Sequence, residues 1–318
     1  MREKKPKIAV LGLAGSSVFM TVDHFHRPGE TLLAKSLYLE AGGKGMNQAV
    51  AAARLGADVS FYTCLGKDEG AALCRAALRD EGIHPLIQEA EQPTAYACIL
   101  TDRDGENQVT VFEGAAGAFS AAFIRSHPES IREADILLLN HECPREVNLA
   151  ALTIAKEAGT KVILNPAPAK EQTIPFDGLY LITPNRHEAA ALLKLPQDTP
   201  ADQLLDAFKE AGFARVLITL GDEGCALLHE RRKCFFPAVP AVAVDTTGAG
   251  DCFNGCLASA LAGGASLTEA VVRAQNAAAL SVGKHYVMPS LPNRKQLEEN
   301  FHAIQEREIL GNRYEVKK

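Results

Sequence analysis

The sequence predicts an α/β sandwich with a small additional β-sheet at its side. Short runs rich in Val, Ile and Leu alternate with Ala-rich segments of helical period, which is typical of parallel strands covered by helices. Two stretches, residues 16–40 and 95–112, interrupt this alternation. Neither contains a long helical pattern, so we expect them to form a separate small sheet beside the main domain.

The main domain is predicted from six strand-like and five helix-like segments. The predicted strands are Lys7–Leu13, Asp58–Thr63, Ala134–Asn140, Lys161–Asn165, Leu179–Thr183 and Arg215–Leu220. The predicted helices between them are Lys44–Leu55, Gly70–Glu81, Arg145–Ala158, Asn185–Leu193 and Ala201–Ala211. The charged segment 306–318 is expected to be the end of a final helix.

The small sheet is predicted to act as a lid over a binding cleft. Within its second stretch, Tyr96–Leu100 and Gln108–Phe112 flank the turn-forming residues Asp102–Gly105, which predicts a β-hairpin. The lid would contain residues 16–40 and 95–112, and the main domain residues 1–15, 41–94 and 113–318. Covering a bound substrate is a common use of such a segment.

Composition and charge favour a cytoplasmic protein that binds small molecules. The 318 residues are 47% hydrophobic, which is enough for a large core, and the formal net charge of -6 comes without a dense Lys/Arg block. We therefore expect neither nucleic acid nor a membrane as a partner. The amino terminus shows no export signal, and the eight cysteines form no C-x-x-C pair, so buried reduced thiols are expected.

The segment Ala243–Asp251 is the most informative for chemistry. A strand-like run enters a turn containing Gly248 and Gly250, and a predicted helix follows. Free N–H groups at a helix amino terminus, together with the positive end of the helix dipole, can bind a transferring phosphoryl group. A carboxylate there would repel phosphate unless it takes a proton from the attacking hydroxyl, so Asp251 is a candidate catalytic base. Simple helix capping by Asp251 is the alternative.

A second glycine-rich turn opens the predicted helix at Lys44. Its sequence G-G-K-G-x-N-Q-A does not fit the phosphate loop G-x-x-x-x-G-K-[ST], because no Ser or Thr follows the lysine. A Walker-type nucleotide hydrolase is therefore disfavoured. Asn47 and the backbone of Gly42 and Gly43 could instead bind sugar hydroxyls, with helix capping as the alternative.

The two turns resemble the two signatures of the ribokinase family, also called the PfkB carbohydrate kinases. Between them, Asn165–Ala169, Thr183–Glu188 and Thr219–Gly224 are also similar to ribokinases, in the family's order. The resemblance covers nearly the whole chain. It implies a three-layer α/β sandwich with a small β-sheet lid and an ATP-dependent kinase that phosphorylates a hydroxymethyl group of ribose or a related pentose or hexose. It also implies Mg²⁺ with ATP, and a homodimer joined through the lid.

The resemblance also implies roles for individual residues. Asp251 would be the base, and the backbone amides of Gly248, Ala249 and Gly250 would stabilise the γ-phosphate. The implied sugar-binding residues are Gly15, Ser17, Gly42, Gly43, Lys44, Asn47, Glu142 and Asp251. The implied nucleotide-binding residues are Asn185, Thr219, Gly221, Gly224 and Asn276. Glu188 would hold Mg²⁺ through water, and a monovalent-cation site, with potassium activation, would include Asp245, Thr247 and Ser290.

The chain departs from the family's pattern at two sugar-binding positions and in the loop near the implied cation site. Ribokinase carries N-x-D after its first strand, gripping ribose hydroxyls, and Gly15 and Ser17 stand at those positions. Loss of the carboxylate should change which sugar is preferred, unless Asp23 or His24 compensates. In the later loop, Tyr286 stands where the family has Gly.

Three other functions remain open. A nucleoside kinase of the same family would need a pocket for the base at the lid, and a non-catalytic sugar-binding protein could use the same fold. An oxidoreductase would rest on Leu11–Gly15, where G-x-x-G alone is weak support for a dinucleotide fold. Helix packing explains the spacing of Cys252 and Cys256 better than a metal site does, and the histidines lack zinc-binding spacing.

Overall fold

A large mixed sheet forms the centre of the computed structural model, which describes residues 5–169, 177–310 and 313–316. The strands along the chain are β1 (Lys7–Leu11), β2 (Gly15–Thr21), β3 (Ser36–Gly42), β4 (Asp58–Leu65), β5 (His84–Glu89), β6 (Ala95–Thr101), β7 (Asn107–Phe112), β8 (Ile136–Asn140), β9 (Lys161–Asn165), β10 (Leu181–Ile182), β11 (Val216–Thr219), β12 (Gly224–His229), β13 (Arg232–Pro237), β14 (Arg307–Leu310) and β15 (Arg313–Val316).

Eleven of these strands make the large sheet, in the order β15-β14-β13-β12-β11-β10-β9-β8-β1-β4-β5. Neighbouring strands from β11 to β5 are parallel, and neighbours from β11 to β15 are antiparallel. The parallel half is buried on both faces, so its strands are nearly continuous apolar runs.

Helices cover both faces of this sheet. They are α1 (Lys44–Arg54), α2 (Glu69–Asp80), α3 (Ala121–Ser126), α4 (Glu129–Arg132), α5 (Arg145–Ala158), α6 (Arg186–Leu193), α7 (Ala201–Glu210), α8 (Ala249–Ala262), α9 (Leu267–Ser281) and α10 (Arg294–Glu299). Along β1, Ile8 and Val10 pack with residues of α1, α2, α8 and α9, whereas Ala9 and Leu11 pack with α5 and α7. The alternation of side chains along a strand thus supplies two cores, one on each face. None of the described helices combines the length and apolar character needed to cross a membrane.

The small sheet is formed by β3-β2-β6-β7, with β2 and β6 parallel and both outer pairs antiparallel. The predicted hairpin is present as β6 and β7. Phe19 and Ile99 are buried against one of the two cores. Large apolar side chains of the same sheet are exposed, among them Leu37 at 69% and Leu39 at 50%.

All six predicted strands and all five predicted helices are confirmed, with ends that differ by a few residues. The sequence did not predict β5, β12 or β13. The prediction of a helix end in the tail is wrong, because residues 307–310 and 313–316 form β14 and β15. β14 pairs with β13, with Cys234 opposite Glu308. An otherwise unpaired strand edge offers backbone hydrogen bonds to a passing segment, and a local sequence pattern does not reveal such an edge.

Candidate active site

The amino terminus of α8 is a glycine-containing turn, in which the Ala249 N–H donates to the carbonyl oxygen of Thr246 at 3.2 Å. Gly248 caps the helix with φ of 77°, a left-handed conformation that favours glycine. A Cβ atom added to Gly250 would meet nothing within 4 Å, so the space beside this turn is free. Asp251 lies in the first turn and is 5% exposed. The positive end of the helix dipole, open space and a buried carboxylate therefore lie together at this point.

Two side-chain amides of α1 hold the carboxylate of Asp251. Nδ2 of Asn47 donates to Oδ2 at 2.9 Å, and Nε2 of Gln48 donates to Oδ1 at 3.0 Å. Nε2 of Gln48 also donates to Oδ1 of Asn165 at 3.0 Å. The structure thus joins the two glycine-rich turns. Gln48 was not predicted as a site residue, although it follows Asn47 directly in G-x-N-Q-A.

The approach of α8 to α1 depends on Gly255. A Cβ atom added there would lie 2.6 Å from Cβ of Ala51 and 2.6 Å from the carbonyl oxygen of Gln48. Any larger residue would therefore push the helices apart. The close contact brings Asp251 within reach of the amides of α1.

A second polar group fixes the start of α8 from within the sheet. Nδ2 of Asn254 donates to the carbonyl oxygen of Gly250 at 2.8 Å. Oγ1 of Thr183 donates to Oδ1 of Asn254 at 2.6 Å, and Nδ2 of Asn165 donates to the carbonyl oxygen of Thr183 at 2.9 Å. Asn254 was not predicted as a site residue, because only the tertiary contact with Thr183 distinguishes it from other helix residues.

Glu142 binds the backbone at the start of α1. Its carboxylate accepts hydrogen bonds from the backbone N–H groups of Leu13, Lys44 and Gly45 at 3.1, 3.0 and 2.9 Å. Burial raises the pKa of Glu142 to about 7, with Asp251 adding to the rise, while the amide donors and Lys44 lower it. The structure therefore places this predicted sugar ligand as an anchor of the glycine-rich turn.

Lys44 lies in the field of three carboxylates. Asp251 raises the pKa of Lys44 most, Glu142 and Glu188 raise it further, and burial lowers it. The ammonium group is thus held charged between the start of α1, the start of α8 and the start of α6. A cation at this place can attract an anionic substrate group.

Gly15 and Ser17 lie on β2 beside the glycine-rich turn. A Cβ atom added to Gly42 would lie 2.5 Å from Oγ of Ser17, so these residues are in contact. A Cβ atom added to Gly15 would lie 2.8 Å from the carbonyl carbon of Ala95. The backbone of β6 thus occupies the space that a side chain at position 15 would need.

Asp23 and His24, which the sequence left open as replacements for the missing carboxylate, have exposed partners of their own. Asp23 pairs with Lys35, and Nε2 of His24 lies 3.0 Å from Oε1 of Glu30. Neither residue contacts Ser17 in the described hydrogen bonds and ion pairs.

Four of the five predicted nucleotide residues, Asn185, Thr219, Gly221 and Gly224, lie at or just after the carboxyl ends of β10 and β11. Asn185 caps α6 and faces Thr219 across an isolated bridge. Gly221 and Gly224 have φ of 64° and 113°, and a Cβ atom on Gly221 would meet nothing within 4 Å. The turn around Gly221 is therefore open to an approaching ligand.

Asn276 is buried on α9 and binds the backbone of His302. Its Oδ1 accepts from the His302 N–H at 2.7 Å, and its Nδ2 donates to the His302 carbonyl oxygen at 2.9 Å. His302 and Val239 line a cavity of about 270 Å³. Asn276 thus stands behind the wall of this cavity.

Glu188 is half-buried at the start of α6. It forms a capping box with Asn185, in which Glu188 Oε2 accepts from the Asn185 N–H at 2.9 Å. Burial raises the pKa of Glu188, and the Asn185 amide and Lys44 lower it. Residues 5–169, 177–310 and 313–316 contain no group of three metal-binding side chains. One carboxylate fits Mg²⁺ that takes its other ligands from water and phosphate.

The predicted cation residues surround a loop that contains Tyr286. Asp245 accepts from the Thr247 N–H at 2.9 Å and from the Tyr286 N–H at 3.1 Å. Oγ of Ser290 donates to the carbonyl oxygen of Val287 at 2.8 Å. Tyr286 has φ of 64°, so this non-glycine residue adopts the left-handed conformation that the family's glycine would take without strain.

Residues 5–294 match the family model described as pfkB family carbohydrate kinase. The chain belongs to this family. It is 36% identical over 302 residues to ribokinase of Haemophilus influenzae, and the matched region covers 93% of this chain and 99% of that protein. It is 30% identical over 302 residues to deoxyribokinase of Salmonella typhi, covering 92% of this chain and 97% of that protein.

The fold of this pfkB family member is similar to solved ribokinases. The structure of Arabidopsis thaliana ribokinase complexed with ribose and ATP superposes with a TM-score of 0.86 at 31% identity, covering 94% of this chain and 99% of that one. The predicted three-layer sandwich with a smaller sheet is thus confirmed. Family and fold together also confirm the predicted activity, and the protein is an ATP-dependent sugar kinase.

Proposed function

We propose that the enzyme transfers the γ-phosphate of ATP to a hydroxymethyl group of a small sugar, a pentose or hexose related to ribose. The observation that carries this proposal is the position of Asp251, a buried carboxylate beside the open space at the start of α8. Such a pair suits in-line transfer, in which one group takes a proton and the other stabilises charge on the phosphoryl oxygens.

Each group at the start of α8 has a distinct task in this reaction. Asp251 takes the proton of the sugar hydroxymethyl group, and Asn47 and Gln48 keep its carboxylate in one orientation. The amides of residues 248–250 bind the transferring phosphoryl group. Lys44 offsets negative charge where the phosphate approaches the surrounding carboxylates.

The sugar is proposed to bind between the small sheet and α1. Oδ1 of Asn47 is buried without a hydrogen-bond partner among the described residues, so it is free to accept from a sugar hydroxyl. The remaining proposed sugar residues are Gly15, Ser17, Gly42, Gly43, Lys44 and Glu142. The small sheet would act as a lid over them, with residues 16–40 and 95–112 as the lid segment.

ATP is proposed to lie along the carboxyl ends of β10 and β11. Asn185, Thr219, Gly221 and Gly224 would border its phosphates and ribose, and Asn276 would support the wall of the cavity near His302. Glu188 would hold Mg²⁺ through water. When bound there, Mg²⁺ would neutralise charge on the phosphate oxygens.

A monovalent cation, potassium, is proposed to bind at Asp245, Thr247 and Ser290. The support is the position of Asp245, whose carboxylate lies between two loops directly before the turn at Gly248. A cation there would contact the residues that precede the turn at Gly248 and would not contact the sugar.

Oligomeric state and location complete the proposal. The exposed apolar side chains of the small sheet, among them Leu37 and Leu39, support a homodimer formed through this sheet. All eight cysteines are reduced thiols, which supports a reducing, cytoplasmic environment.

The residues at positions 15 and 17 of β2 indicate which sugars the enzyme prefers. Gly15 and Ser17 lack the amide and carboxylate that grip ribose hydroxyls in ribokinase, and the Salmonella relative is named for a deoxy sugar. A substrate with fewer or differently placed hydroxyls than ribose fits these positions best. Nucleosides are the principal rival substrates.

Release of ADP with ATP and Mg²⁺ tests this function. Purified protein would be screened against ribose, 2-deoxyribose, other pentoses, ketohexoses and nucleosides, with EDTA in a parallel series. The proposal expects turnover of one free sugar that stops when Mg²⁺ is chelated. Turnover of nucleosides alone would contradict the proposal and show that the enzyme is a nucleoside kinase.

A further inference from the structure

Glu40 connects the small sheet to a loop of the main domain. It lies on β3 and is 5% exposed. Its Oε1 accepts from the Val287 N–H and its Oε2 from the Met288 N–H, both at 3.0 Å. Burial raises the pKa of Glu40, while the two amides lower it, and Asp245 raises it further. A buried carboxylate is costly, so its two amide partners are needed to keep it there.

The loop that Glu40 binds presents three consecutive amides to two carboxylates. The Tyr286 N–H donates to Asp245, and the next two N–H groups donate to Glu40. Glu40, a side chain of the small sheet, thus accepts from two of these three amides.

Aromatic contacts reinforce this connection. The rings of Tyr38 and Tyr286 stack with centroids 3.9 Å apart and planes inclined by 18°. Phe19 meets Tyr286 edge-on at 5.3 Å. Tyr38 and Phe19 belong to β3 and β2, so both strands hold Tyr286 in its left-handed conformation.

The loop in turn packs against the anion-binding turn. A Cβ atom added to Gly248 would lie 2.5 Å from Cγ1 of Val287, so the Val287 side chain sits directly on the cap of α8. Arg54 fixes the other end of the loop by donating to the carbonyl oxygens of Met288 and Leu291 at 2.6 and 2.8 Å. A continuous path of contacts runs from Glu40 through Val287 to Gly248.

We propose that Glu40 is a positioning residue that sets the phosphate-binding geometry of the turn at Gly248 by holding residues 286–288 against it. The inference rests on the proposed function of this turn. Glu40 needs no contact with the sugar or ATP for this role. Its effect falls on the rate of transfer, because the amides of the turn act on charge that develops during the reaction.

Steady-state kinetics of Glu40→Gln, Glu40→Ala and Val287→Ala test the proposal with the best sugar of the wild-type enzyme. The Gln variant keeps one acceptor and should lose about tenfold in kcat, and the Ala variant about a hundredfold. Val287→Ala should also lower kcat, because it removes the contact with Gly248. KM for sugar and for ATP should change by less than about threefold in all three. Glu210→Gln, at an exposed position at the end of α7, is the control and should keep wild-type values.

Other outcomes overturn the inference. A raised KM for sugar with unchanged kcat would make Glu40 a sugar ligand. Wild-type kcat in the variants with only a lowered Tm would make its role purely structural. If the wild-type enzyme turned over no sugar, the proposed function would fail first, which keeps the two failures distinct. If Glu40→Ala did not fold, the Gln and Val287→Ala variants would decide.

Discussion

Nδ2 of Asn47 donates a 2.9 Å hydrogen bond to Oδ2 of Asp251 across 204 positions of the sequence. This bond joins the residue proposed to bind the sugar to the residue proposed to deprotonate it. In the proposed function, one side-chain amide would therefore contact both the sugar and the base, which favours a single productive arrangement.

Replacing the base should remove turnover and spare ATP binding. Asp251→Asn keeps the shape of the side chain but cannot accept the proton, so kcat should fall by about a thousandfold. ATP affinity, measured by calorimetry, should stay within about threefold. Asp198→Asn, at an exposed position, is the control. Substantial activity in Asp251→Asn would show that another group is the base.

Restoring the residues of ribokinase on β2 should not restore a ribose site. Gly15→Asn would collide with the backbone of Ala95, and Ser17→Asp would place a carboxylate directly opposite Glu40 on β3. Both changes should lower Tm, with Ser17→Asp costing about 1 kcal/mol or more. Thermal unfolding and KM for ribose check this. A lower KM for ribose in Ser17→Asp with unchanged stability would contradict it.

Glu142 should make the unliganded protein less stable as pH rises. Its folded pKa of about 7 lies above the ordinary value of 4.5, so between these values the folded state binds more protons than the unfolded state. The free energy of unfolding should therefore fall by up to about 3 kcal/mol from pH 4.5 to 7 through this group. In urea unfolding at several pH values, the free energy of unfolding of Glu142→Gln should depend less on pH than that of the wild type. Glu146→Gln, at an exposed position, should show the wild-type pH dependence. A wild-type pH dependence in Glu142→Gln would show that Glu142 does not cause the loss of stability.

Potassium should raise kcat by about tenfold over a bulky organic cation at the same ionic strength. The reason is the position of Asp245 directly before the turn that is proposed to bind phosphate. Asp245→Asn should lose this response. Equal rates in potassium and tetramethylammonium chloride would remove the cation site from the proposal.

A charge on the small sheet should separate the subunits. Leu37→Glu introduces a carboxylate into the exposed apolar face, which a dimer through this sheet would have to bury. Light scattering at micromolar concentrations should give a dimer for the wild type and a monomer for the variant. Val242→Glu, at an exposed site outside this sheet, should remain dimeric. A monomeric wild type would exclude the homodimer.

The sequence predicted the parallel half of the fold well, because buried parallel strands such as β8 and β9 are continuous apolar runs between periodic helices. It predicted Asp251 and Asn47 because glycine-rich turns before helices have a recognisable pattern. The antiparallel end was harder. β14 is defined by its partner β13 rather than by its own composition.

Contacts between distant segments set the rest of the site. Glu40 resembles an ordinary polar residue of a half-exposed strand until its amide partners are known. The roles of Gln48 and Asn254 could not be predicted either, because their hydrogen-bond partners lie on other elements. Tyr286 was noticed as a departure from glycine, but its stacking on Tyr38 follows only from the folded structure.

Gly255 has no functional group and contacts no reacting atom, yet it limits how far the reaction geometry can vary. The gap between α8 and α1 has no room for even one methyl group at this point. Changes in the sugar pocket can alter which substrate is accepted while chemistry continues. A side chain at Gly255 would move Asp251, the proposed base, away from the amides of α1, so the proposed reaction restricts this position although Gly255 takes no part in the chemistry.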